Sequence, residues 1–199
     1  ELKTMQPTGS AAMACRGCAA KLAASPLQDA LARNCLGGGT PGSAEDAAVI
    51  AQAGDGALLL QSVDGFPALV ADAWLNARLT TLHACSDLWA SGAQVESLQA
   101  VVTLPELATA LQADLLSDTL AGIQSVLQPL GARLIGGHSL EARDSQTSPA
   151  NPAGLSLVLS VNGRAPAGRH WGKGPLRSGD GLVLCRPIGT GVLFAAAMA

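Results

Sequence analysis

The sequence contains no tyrosine, two phenylalanines and three tryptophans, so aromatic residues make up 3% of its 199 positions. That poverty removes the stacking platforms on which single-stranded nucleic acids are held. Positive charge is also scarce. Twelve Lys and Arg against fifteen Asp and Glu give a formal net charge of −3, which leaves no basic stripe for a phosphate backbone. No stretch approaches the ~18 consecutive apolar residues of a bilayer-spanning helix. No basic-then-apolar signal segment opens the chain. The cysteines, Cys15, Cys18, Cys35, Cys85 and Cys185, are odd in number and irregular in spacing. In a chain too large to need covalent staples they read as reduced thiols in a cytoplasmic setting.

Apolar residues, by contrast, make up 48% of the chain, enough to build a core and to set disorder aside. The length suits one sizeable domain, or one domain with part of another. The first residue is Glu1, and Gly191 to Ala199 form an apolar, helix-like run without a capping residue. Both ends lead us to expect a piece of a longer polypeptide.

Residues 1 to 14 are small and polar and read as a linker or mobile arm. Ser25-Pro26-Leu27-Gln28 predicts a capped helix start, with the helix ending near Asn34 before Gly37-Gly38-Gly39. Val49 to Ala51 and Ala57 to Val63 read as strands about a Gly54-Asp55-Gly56 turn. The second strand is expected to end at Asp64-Gly65, which would put a carboxylate at its tip. A helix follows from about Asp72 to Ser91, stopped by Gly92, and its His83 and Asp87 share a face. Val95 to Leu104 is a strand closed by Pro105. From Glu106 to Leu130, leucines recur at helical spacing. Gly131 to Ile135 is a short strand running into Gly136-Gly137-His138-Ser139, and Glu141 to Ala153 reads as a disordered loop. Leu155, Leu157, Leu159 and Val161 alternate along a strand with one apolar face. Arg164 to Gly179 is a Gly-, Pro- and Arg-rich connector, and Leu182 to Cys185 predicts one more strand.

Four places could carry chemistry. Glu45 and Asp46 sit where a glycine-led loop turns into a strand. Adjacent carboxylates there are hard oxygen ligands, suited to Mg²⁺ and through it to phosphate, or simply an acidic turn. Cys15-Arg16-Gly17-Cys18 leaves several readings open. As half a zinc site it lacks a second ligand pair. As a thioredoxin-like dithiol it lacks an upstream strand. It is otherwise a plain mobile thiol, or one reactive thiolate, Cys18, favoured by the Lys21 ammonium three residues on. Asp87, near a helix C-terminus, is electrostatically unfavourable without a cation, which marks it as a metal or ligand contact. The paired Gly136 and Gly137 would let backbone amides approach an anion, with Ser139 as a hydroxyl donor.

Taken together, Cys18-Ala19-Ala20-Lys21, Glu45-Asp46-Ala47-Ala48-Val49, Ser62-Val63-Asp64, Ser86-Asp87 to Gly92, Gly136-Gly137-His138-Ser139 and Arg186-Pro187-Ile188-Gly189-Thr190-Gly191 resemble the selenophosphate synthetases, or selenide, water dikinases. These share a superfamily with aminoimidazole ribonucleotide synthetase, and the resemblance runs from Cys15 to the end. It implies an α/β (α+β) fold, a four-stranded mixed sheet packed on helices. Two such sheets would join into a barrel in a homodimer, and the truncated start of a second α/β domain would follow. The divisions it implies are an arm at 1–24, an ATP-binding and dimerising domain at 25–168, and a connector with the start of the second domain at 169–199. The implied reaction makes selenophosphate from selenide, ATP and water, releasing AMP and phosphate, with Mg²⁺. By the same resemblance Cys18 and Lys21 are catalytic, and Asp46 and Asp87 hold Mg²⁺. Lys21, Ser43, Ala44, Glu45, Asp64 and Asp87 meet ATP, with Gly137, His138 and Ser139 reaching the partner subunit's ATP. The arm would close over the nucleotide to bring Cys18 near. The family usually has Asn where this chain has His83, and the loop after Ser139 carries an insertion. Some members follow an oxidoreductase module in the same polypeptide. Inactivity of this piece alone is the corresponding expectation. The alternatives are a thiamine-monophosphate kinase-like relative, or a non-catalytic dimerisation or selenium-carrier module.

Overall fold

A computed structural model describes residues 22–34, 45–142, 154–174, 177–190 and 193. Cys15, Cys18, Lys21, Cys35, Ser43, Ala44, residues 143–153 and nearly all of the terminal apolar run lie outside the described residues. In chain order the elements are α1 (Ala24–Arg33), β1 (Ala48–Gln52), β2 (Leu58–Pro67), α2 (Ala73–Ala90), β3 (Gln94–Pro105), α3 (Thr109–Leu130), β4 (Arg133–Ala142) and β5 (Ser156–Ala165). The strands form one mixed sheet in the order β1-β2-β5-β3-β4. Four strands were expected and five are present among the described residues. β1, the strand expected at Val49 to Ala51, is an edge strand folded back onto β2 by a tight turn. There Gly56 takes a positive φ of 81°, and the Asp55 carboxylate accepts from the Ala57 N–H at 3.0 Å. The residues of β1 are exposed throughout, so pairing with β2 rather than a buried face holds it.

β3 and β4 are the parallel pair, and α3 is the crossover that a parallel pair requires. The other neighbours are antiparallel. Leu157, Leu159 and Val161 of β5 are fully buried, as the alternation predicts, and α2 and α3 pack over the sheet. Asp72 caps α2 by accepting from the Leu75 N–H at 2.8 Å. Gly122 of α3 lies against the Trp74 carbonyl and the Ala77 side chain of α2, an approach that a Cβ would block. The opposite sheet face is more open. Val63 stands opposite Ser160, and Val101 opposite Val158, with all three valines exposed.

Three local expectations are corrected. β2 runs on to Pro67, so Asp64 lies within the strand, paired with Leu159, and not at its tip. Leu182 to Cys185 forms no strand; Leu182 and Val183 are 86% and 82% exposed and have no ladder partner among the described residues. α1 begins at Ala24 without a side-chain cap, so Ser25 and Pro26 sit in its first turn.

Candidate functional site

A cleft of about 440 Å³ opens beside β1 and β2, lined by Glu45, Asp46, Gln61, Ser62, Asp64 and Asp87 among others. Residues far apart in the sequence meet here. Glu45 and Asp46 come from the approach to β1, Ser62 and Asp64 from alternate positions of β2, and Asp87 from the last turn of α2. The Ser62 hydroxyl, almost fully buried, donates to Asp87 Oδ2 at 2.8 Å. That bond holds a carboxylate at the negative end of a helix, where the backbone field disfavours it. Asp64 Oδ1 accepts from the Gly65 N–H at 2.8 Å, and His83 Nε2 lies 2.8 Å from Asp64 Oδ2. The His83 ring meets Phe66 edge-on, with centroids 4.7 Å apart. His83 and Asp87 share a helix face in sequence, but the contact His83 makes is across to Asp64 of β2.

Lys173, from the connector after β5, contacts two of the lining acids. Its Nζ donates to Asp46 Oδ1 at 2.8 Å, and its backbone N–H donates to Glu45 Oε2 and Oε1 at 3.0 and 3.2 Å. The hydrogen bond to Asp46, with the nearby charges of Asp46, Glu45 and Asp87, raises the Lys173 pKa above the usual lysine value, against a lowering by desolvation. Sequence reading missed Lys173. It is 127 residues from Asp46, and no local pattern distinguishes it within the Gly-rich connector.

Gly137, His138 and Ser139 are not brought to this cleft within one chain. They lie on β4, opposite Ala100, Val101 and Val102 of β3, at the other edge of the sheet. Gly137 passes so close to the Ala100 carbonyl that a Cβ would collide with it. Ser139 borders a separate cavity of about 350 Å³ against α3. Cys18, Lys21, Ser43 and Ala44 lie outside the described residues.

The donor set is one of hard carboxylate oxygens. Asp46 Oδ2 and Asp87 Oδ1 accept no hydrogen bond among the described residues. No group of three or more His, Cys, Asp or Glu among the described residues is placed to hold a metal ion. Two carboxylates in an open cleft fit Mg²⁺, which keeps waters and takes phosphate oxygens for its remaining positions. They do not fit a structural zinc site.

The sequence pattern of the family described as AIR synthase related protein, N-terminal domain, matches residues 44–165. The chain belongs to that family. Among curated proteins, it is 33% identical over 187 residues to a selenide, water dikinase of Geobacter metallireducens, covering 90% of this chain and 50% of that one. It is 31% identical over 184 residues to a selenide, water dikinase of Bdellovibrio bacteriovorus, covering 90% and 49%. The chain thus spans about half the length of these relatives. Among solved structures, AaThiL complexed with AMPPCP and TMP aligns with a TM-score of 0.60 at 13% identity, over 77% of this chain and 45% of that one. Thiamine monophosphate kinase from Aquifex aeolicus aligns at 0.50 and 12%, over 73% and 43%. At such identities these structures establish a shared fold. No helix among the described residues is long and apolar enough to cross a membrane.

Proposed function

We propose that this chain is the ATP- and Mg²⁺-binding, dimerising portion of a cytoplasmic selenide, water dikinase. That enzyme makes selenophosphate from selenide, ATP and water, with release of AMP and phosphate. The observation that carries the reading is the convergence of Asp46, Asp64 and Asp87, from three separate elements, on one open cleft. Relatives that bear the enzyme's name support it.

In this reading Asp46 and Asp87 hold Mg²⁺, which neutralises the triphosphate and stabilises charge on the transferring phosphoryl group. Ser62 orients Asp87, and His83 with the Gly65 N–H orients Asp64, so that these carboxylates meet ATP without rearranging. Ser43, Ala44 and Glu45 line the nucleotide approach. Lys21 supplies a mobile positive charge, and Cys18 supplies a soft thiolate to handle selenide. Gly137, His138 and Ser139 would act on the partner's nucleotide, which suits their place at the far sheet edge. The open sheet face bearing Val63, Val101 and Val158 is the surface proposed to pair across the two-fold. By itself the 199-residue chain should form no selenophosphate.

The test uses the enzyme with its second domain present. Cys18→Ser should abolish selenide-dependent ATP consumption while ATP still binds. Unchanged turnover would favour a thiamine-monophosphate kinase-like relative, whose chemistry needs no such thiol. Failure to bind ATP and Mg²⁺ at millimolar concentration would favour a non-catalytic carrier or dimerisation module.

A further inference from the structure

The connector after β5 is held along a definite route. It passes the C-terminal end of α2, where the Trp171 N–H donates to the Ser91 carbonyl at 3.0 Å and the Arg169 carbonyl lies against Gly92. Gly172 then runs beside the Glu45 carboxylate, so close that a Cβ there would sit 3.1 Å from Oε1. The next N–H, that of Lys173, meets both Glu45 oxygens. The Lys173 side chain therefore starts from an anchored backbone and reaches Asp46 at 2.8 Å. An exposed pair between two freely moving side chains has no such anchor and contributes little.

We propose that Lys173 is a tethered counter-cation of the cleft. With no divalent ion bound, its ammonium neutralises Asp46 through Oδ1, and a divalent ion must either displace it there or take Oδ2 against its repulsion. The proposal rests on the reading of Asp46 as a cation ligand. An ammonium and a divalent ion cannot share one carboxylate oxygen, and their mutual repulsion at such range opposes joint occupancy. A lysine ammonium is charged at neutral pH, so the competition operates under ordinary conditions. Lys173 thereby sets the threshold at which the cleft loads. Its backbone clamp on Glu45 does not depend on the side chain and holds the connector in place when the ammonium leaves.

Mn²⁺ alone is the probe, titrated by electron paramagnetic resonance into the unaltered chain and into Lys173→Met, Lys173→Gln and Asp46→Asn. Both Lys173 variants should bind Mn²⁺ tighter, by roughly fivefold at low salt, the scale of one exposed ion pair. The difference should shrink as salt screens the competing charge. Asp46→Asn should bind far more weakly. Unchanged or weaker binding in the Lys173 variants, with Asp46→Asn still impaired, would overturn the role of Lys173 and leave the cleft reading standing. Asp46→Asn binding as well as the unaltered chain, or no Mn²⁺ binding by any of them, would overturn both.

Discussion

Replacing Gly92 with alanine should loosen the connector from the cleft at a cost that can be partitioned. Gly92 follows α2 with φ of 77°, its N–H donating to the Trp89 carbonyl at 3.0 Å and the following Ala93 N–H to Leu88 at 2.9 Å. An L-residue in that left-handed conformation costs about 1–2 kcal/mol. The second contribution is steric. The new Cβ would meet the Arg169 carbonyl oxygen, a backbone atom that no rotamer change removes, and would stand 3.3 Å from the Trp171 ring. Relief requires the connector to lift, which loses the Trp171 N–H bond to Ser91, about 1 kcal/mol. The sum is about 2–3 kcal/mol, or a fall in Tm of roughly 4–12 °C for a chain of this size. Gly131 supplies the control. It closes α3 with φ of 66°, but nothing lies within 4 Å of its absent Cβ. Gly131→Ala should therefore show only the conformational cost, the same about 1–2 kcal/mol without the steric part. Urea denaturation of the two variants, with hydrogen exchange at Trp171 and Lys173, reads both parts. Equal destabilisation, or unaltered exchange in the connector of Gly92→Ala, would refute the close approach as the cause.

Two further outcomes follow from the same geometry. His83→Ala leaves Asp64 Oδ2 without its 2.8 Å partner and should destabilise the chain by about 1–2 kcal/mol; His83→Gln, whose amide nitrogen extends about as far, should recover part of this, and equal urea midpoints would count against the contact. Burial pushes the Cys85 thiol pKa from 9.0 up to about 11, whereas Cys185 is exposed. Peptide-resolved alkylation at pH 8 should therefore label Cys185 well before Cys85. Above pH 9 the unfolded chain releases the Cys85 proton while the folded chain keeps it until about pH 11, so this thiol lowers stability progressively across that window. Comparable labelling of both thiols in the folded protein would contradict its burial.

Much of the fold was legible because its signals are local. The alternation of Leu157, Leu159 and Val161 announced a one-faced strand, and the leucine spacing of α3 announced a packed helix ending at Gly131. Kinship was legible from short motifs in a fixed order, and the family match agrees. The meeting of Asp46, Asp64 and Asp87 in one cleft was anticipated through that kinship rather than through spacing. What escaped depends on contacts between distant residues. Nothing near Lys173 announces that it will reach Asp46, and the shared helix face of His83 and Asp87 gives no sign of the contact between His83 and Asp64. Asp64-Gly65 reads as a turn, but β5 pairs with β2 past it as far as Pro67. The count of four strands taken from kinship is one short of the five in the sheet, although the residues themselves announced the hairpin that brings β1 to its edge. Leu182 to Cys185 has strand-forming residues but no described neighbour to pair with.

Paramagnetic broadening of backbone amide signals by substoichiometric Mn²⁺, repeated with ATP present, tests the cleft most directly. The account predicts selective loss of signals around Asp46, Ser62 to Asp64 and Asp87, with the acids of α3, Asp114 and Asp118, unaffected, and a sharper effect when ATP is added. Broadening centred on α3, or no site-specific broadening with or without ATP, would contradict it.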